Sequence, residues 1–87
     1  MAFVGTVRAV NGLKGFGFLG CKETFTLYQR DVFMHKFLIG IDKFNALRKG
    51  EVVAFTITLD QKGSPQVSSL WNDRLNKAEE DGTLKDL

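Results

Sequence analysis

Eighty-seven residues with 44% hydrophobic content make one domain, near the lower size at which a single core holds without staples, and leave no room for a second. The single cysteine, Cys21, excludes an internal disulfide, and neither a charged-then-apolar leader nor a run of about 18 apolar residues is present. A reducing, cytoplasmic setting without membrane contact is therefore expected, or a nuclear one in a eukaryote. The net charge of +2 conceals an asymmetry: residues 1–70 hold nine Lys/Arg against five Asp/Glu, whereas 71–87 hold three against five. The basic part carries the phenylalanines, a balance compatible with phosphate contacts and common among unrelated small domains.

In chain order, Phe3 to Asn11 is rich in Val, Thr and Phe and ends at the turn signal Asn11-Gly12, so a first strand leads by a hairpin into a second, Phe16 to Cys21. Lys22 to Arg30 either prolongs that strand or forms a long hairpin loop, and the residues do not choose between them. Asp31 to His35 is the third strand. From Lys36 to Lys49 the alternation disappears, which suits a helical turn and an irregular crossover ending at Lys49-Gly50. Glu51 to Leu59 alternates again, with Val53, Phe55, Ile57 and Leu59 on one side, as a half-buried fourth strand. After the polar turn Asp60 to Ser64, Pro65 to Leu70 is a short fifth strand with its proline at the tolerated first position. Five short strands with one crossover predict a small closed barrel, since closure removes exposed edges. In the tail, Trp71, Leu75 and Ala78 fall at i, i+4 and i+7 before Gly82, the pattern of a short amphipathic helix with a frayed end.

The second and third strands carry the chemistry. In a strand, side chains alternate between faces, so Phe16 and Phe18 share one face, and so do Phe33 and His35. Pairing of the two strands makes one surface of these rings, and glycines at 15 and 17 leave nothing bulky beside them. The plainer assignment of these phenylalanines is the core, but Val32 and Met34 alternate with Phe33 and fill that role. Exposed aromatic rows of this kind hold single-stranded bases at about 1–3 kcal/mol per stacked base.

Gly5-Thr6-Val7-Arg8, Asn11, Lys14-Gly15-Phe16-Gly17-Phe18-Leu19, Asp31-Val32-Phe33-Met34-His35, Leu47-x-x-Gly50-x-x-Val53-x-Phe55 and Lys62-Gly63-Ser64-Pro65-Gln66 occur in this order over residues 4 to 70. This set resembles the cold-shock domain, found in bacterial cold-shock proteins and eukaryotic Y-box proteins. The resemblance implies an all-β fold, a five-stranded antiparallel OB-fold barrel over residues 1–70, with 71–87 as a short C-terminal helical extension. It implies binding of single-stranded RNA or DNA, with Phe16, Phe18, Phe33 and His35 stacking bases and Phe44 in the crossover adding a ring. Arg8, Lys14 and Lys62 would contact phosphate or base edges; Asn11, Asp31, Gln66 and Ser69 would hydrogen-bond. Such a module acts as an RNA chaperone by holding strands out of hairpins.

This chain departs from the family pattern at three positions. Ala9-Val10 stands where the family usually has Trp-Phe, and Lys36 replaces the aromatic after the histidine, with Phe37 displaced by one; Lys36 there exchanges a stacking contact for an electrostatic one. These losses leave a second reading: a cold-shock-like barrel with weakened nucleic-acid binding that serves as a protein-interaction or self-association module. The chain is expected to be a monomer, with a dimer as the alternative. No cofactor, metal or enzymatic centre is expected. His35 has no second histidine for a metal pair, and no nucleophile with base, paired carboxylates or phosphate loop can be assembled. Cys21 reads as a small half-buried filler, and Arg48-Lys49 as a solvated pair. Trp71 is either a replacement stacking ring or, by its shared helical face with Leu75 and Ala78, an anchor for the tail. The acidic tail is expected to pack near or over the binding face and compete with nucleic acid.

Overall fold

Alternation along Phe3–Asn11 produces β1, with Phe3, Gly5 and Val7 buried and Val4 and Thr6 exposed. At Arg8 the strand bulges: Val7 lies opposite Leu19 and Ala9 opposite Phe18, so Arg8 is the extra residue. The bulge reverses the parity, leaving Ala9 exposed and Val10 half-buried against the core. The turn that follows is fixed by Asn11, whose Oδ1 accepts from the Lys14 amide at 2.9 Å and whose carbonyl accepts from the Gly15 amide at 2.8 Å. Gly15 adopts φ +76°, and a Cβ there would sit 2.6 Å from the stem of Lys36. The chain returns as β2 (Phe16–Gly20) and, after a connection, as β3 (Val32–His35). Gly17 clears space on the inner side of the sheet, not beside the rings: a Cβ would meet the Ala9 carbonyl at 2.3 Å and the Met34 methyl at 2.7 Å.

In this computed structural model, which describes all residues from Met1 to Leu87, the β2–β3 connection is neither a strand extension nor an irregular loop. It holds a helix, α1 (Lys22–Tyr28), closed by Gln29 in the left-handed region at φ 60°. Thr24 is fully buried and donates to the Cys21 carbonyl at 3.2 Å. Thr24, Phe25, Thr26 and Tyr28 favour strand over helix, and seven residues are too few to nucleate alone, so tertiary packing determines this element.

The crossover forms α2 (Lys36–Ile39) and α3 (Ile41–Ala46), then β4 (Val52–Leu59) and β5 (Pro65–Trp71) complete a closed barrel in the order β1-β2-β3-β5-β4. Four neighbouring pairs are antiparallel, but β3 and β5 pair parallel, through Phe33 opposite Gln66. The expectation of an all-antiparallel barrel is corrected on this point, since an odd-membered ring of strands cannot alternate direction all the way round. Phe44 is also corrected: on α3 its ring is 0% exposed and joins Leu19, Met34, Phe55 and Leu70 in the core. Helix α3 turns that face inward, so Phe44 fills the barrel and offers no surface to a base.

The tail is part of the same core. Asn72 caps helix α4 (Asp73–Asp81) by accepting from the Leu75 amide at 2.9 Å, and Gly82 at φ 71° ends it with the Thr83 amide bonded to the Ala78 carbonyl. Leu75 is 0% exposed, and Leu84, in a final 3-10 turn (Leu84–Asp86), packs against the core where fraying was expected. Trp71 ends β5 opposite Ala54 and is not on the α4 face, so Leu75 and Ala78 are the anchors. Glu51 completes the dock: its carboxylate accepts from Arg74 Nε at 2.7 Å and Nη2 at 2.8 Å, from Asn72 Nδ2 at 2.9 Å and from the Arg48 amide at 3.1 Å. These donors hold Glu51 at about 2, well below its ordinary value of 4.5, with the Arg74 hydrogen bonds the largest cause. The tail thus docks beside α3 and the start of β4, where Lys43 also meets Glu79 at 3.7 Å, and not over the rings of β2 and β3. No helix is long and apolar enough to cross a membrane.

Candidate nucleic-acid interface

The β2–β3 register brings the expected rings together. Phe18 lies opposite Phe33 and Phe16 opposite His35, while Leu19, Val32 and Met34 point inward. Phe33 is the hub: its ring centroid is 5.8 Å from Phe18 edge-on, 6.0 Å from Phe16 in a stacked arrangement, and 6.2 Å from His35. Phe37 extends the row, 5.1 Å from His35 and 72% exposed, so a ring displaced by one residue still joins it. Mutual packing at these spacings holds the rings as a patch that remains partly open to solvent.

The polar groups sit around this row. The His35 Nδ1 accepts from the Phe37 amide at 3.2 Å, so neutral imidazole carries its proton on Nε2 and keeps a donor for a ligand. The Lys36 stem covers Gly15, and its ammonium lies 5.2 Å over the Phe37 ring, leaving one cation at that end of the row. At the other end a groove is lined by Phe18, Phe33, Asp31, Gln66, Ser64 and Arg30. Gln66 is placed there by the parallel β3–β5 pairing. Arg30 was not expected; it donates to Ser64 Oγ at 2.7 Å, a partner 34 positions away that no local pattern reveals. Asp60 shapes the adjoining turn, accepting from the amides of Ser64 at 2.9 Å and Lys62 at 2.8 Å, and these bonds hold its carboxyl below the usual range.

Of the remaining expected residues, Arg8 and Asp31 meet each other at 3.6 Å beside the groove. Lys14 and Lys62 are exposed on the two turns, and Asn11 is engaged in holding the first of them. Ser69 lies on β5 opposite Thr56 and bonds to its hydroxyl. Phe44 is absent from the surface for the reason given above. Nowhere do His, Cys, Asp or Glu side chains gather in threes as a metal site requires.

Residues 3–70 match the model of the "'Cold-shock' DNA-binding domain". The chain belongs to the cold-shock domain family. This cold-shock domain is 38% identical over 63 residues to a cold shock-like protein of Aquifex aeolicus, covering 72% of this chain and 84% of that one. It is 41% identical over 59 residues to the cold shock-like protein CspA of Stigmatella aurantiaca, covering 68% and 81%. It is 36% identical over 70 residues to the major cold shock protein CspA of Bacillus cereus, covering 80% and 96%. Cold-shock domains bind nucleic acid and are not enzymes, and the OB-type barrel described above is theirs. Helix α4, at 73–81, lies beyond the matched residues.

Proposed function

We propose that this cold-shock domain binds single-stranded RNA or DNA by stacking bases on Phe18, Phe33, Phe16 and His35, with Phe37 and Lys36 continuing the row. The observation that carries this reading is the register of β2 on β3, which gathers rings from two strands on the outer face while their alternate residues fill the core. All the rings come from one copy, so a monomer suffices. Arg8, Arg30, Lys14, Lys36 and Lys62 supply positive charge around the row, and Gln66 and Asp31 offer hydrogen bonds to base edges. Holding strands open in this way shifts hairpins toward single strands, the basis of an RNA chaperone.

Titration of labelled oligopyrimidines tests this. Phe18→Ala and Phe33→Ala each lose about 1–3 kcal/mol, a loss of roughly 5- to 150-fold in affinity. With three or four phosphate contacts, the logarithm of affinity falls against the logarithm of salt with a slope of about −2 to −3. Absence of micromolar binding at low salt rejects the proposal and favours the protein-interaction module. The specific observation behind that second reading is Ala9: it is exposed opposite Phe18, where the family usually offers its largest ring.

A further inference from the structure

Helix α1 leaves a ring without a structural purpose. Phe25 is 48% exposed, while Thr24 next to it carries the burial on this helix. Beneath Phe25 runs a second groove, lined by Arg8, Gly20, Lys22, Phe25, Thr26 and Asp31. It is close in size to the groove beside Phe18 and Phe33, about 520 against 580 Å³, and Asp31 lines both. The two grooves therefore adjoin at Asp31, the first stretch beside the stacking row and the second beside α1.

The floor of the second stretch is built for a guanidinium. A Cβ on Gly20 would fall 1.8 Å from Arg8 Nε, so only glycine lets Arg8 lie across the sheet at this point. Arg8 is 63% exposed there and touches Asp31 through a single contact at 3.6 Å, which leaves most of its donors free. The β1 bulge, which takes Arg8 out of the ladder, is what sends it this way. One aromatic face flanked by Arg8 and Lys22 matches one base with its phosphates. It does not match an apolar peptide, which needs a run of apolar side chains, whereas Phe25 and Cys21 are the two apolar residues among those that line this groove.

We propose that the nucleic-acid path continues over α1, where Phe25 stacks one further base and Arg8 and Lys22 hold the neighbouring phosphates. This rests on the stacking reading above and adds to it a subsite that this chain builds from its β2–β3 helix. It also offers a ring in place of those missing at Ala9 and Val10, at a different point along the strand.

The test uses the full chain and oligothymidylates of about three to about ten nucleotides, since base platforms of this type are tolerant of sequence. Phe18→Ala is expected to weaken every length. Phe25→Ala is expected to leave the shortest oligomers unchanged and to weaken the longer ones by about 5- to 150-fold, so that affinity stops rising about one nucleotide earlier. Lys22→Ala should lower the salt slope for long oligomers only, by about 0.7. As a direct probe, Phe25→Trp combined with Trp71→Phe should show fluorescence quenching by long but not short oligomers. If the wild type binds and Phe18→Ala weakens it, yet Phe25→Ala matches wild type at all lengths and the indole introduced by Phe25→Trp stays unquenched, the subsite is overturned and the stacking row stands. If Phe25→Ala changes only self-association, the ring belongs to a protein contact and the subsite is again overturned. If the wild type binds no oligomer, both proposals fall together.

Discussion

Replacing Glu51 by glutamine isolates the contact that ties the tail to the barrel. The Glu51 side chain is 13% exposed and its four donors come from Arg48, Asn72 and Arg74. Its carboxyl is held at about 2, against an ordinary 4.5. At about 1.36 kcal/mol per pH unit this corresponds to roughly 3 kcal/mol of stability. Arg74 is 26% exposed, and screening at that side reduces the figure to about 2 kcal/mol. Because the folded-state value is depressed, the stabilisation is fully present above pH 4.5 and is lost as pH falls toward 2. The Glu51→Gln variant cannot make this contribution at any pH, and its amide group presents donors to the Arg74 donors. Urea unfolding of both proteins from neutral pH down to about 2 is the assay. Near neutrality the variant should be less stable by about 2 kcal/mol, or roughly 8–16 °C in Tm for a domain of this size. The gap should close across the acid window. Parallel stability curves for the two proteins between pH 5 and 2 would refute the linkage, whatever the contribution of Asp60, which is common to both.

Other predictions follow from burial and register. Phe44→Ala should cost about 3–5 kcal/mol of stability, because the ring lies wholly in the core; Phe37→Ala, at 72% exposure, should leave urea midpoints near wild type. Leu75→Ala should destabilise by about 2–5 kcal/mol. Removal of residues 72–87 should therefore unfold or loosen the barrel, seen by circular dichroism, whereas a tail that competed with ligand would leave a folded domain with tighter binding. Ala9→Trp places a ring opposite Phe18 on the exposed side of β1 and should tighten oligopyrimidine binding by about 5- to 150-fold. An unchanged affinity there would place the ligand path away from β1.

Strand order along the chain, the turn at Asn11, the helix stop at Gly82 and the face shared by Phe16 and Phe18 were all legible in the sequence, because each depends on a local rule with a period of two or on one residue's backbone preference. The matching face of Phe33 and His35 was legible for the same reason, though only strand pairing could bring the two faces together. What lay beyond the sequence rests on contacts between distant residues. Helix α1 contradicts its own propensities and is held by burial of its own Thr24 and of Cys21 at its N-cap. Phe44 looked like a further ring for bases until α3 turned it inward, since a short irregular crossover has no alternation from which to infer a face. Arg30 meets Ser64, and Arg74 meets Glu51, across intervals that no spacing rule covers. The tail illustrates the division: its amphipathic pattern predicts a helix, but which surface that helix covers was decided by where the barrel left the half-buried carboxylate of Glu51 and an opening for Leu75.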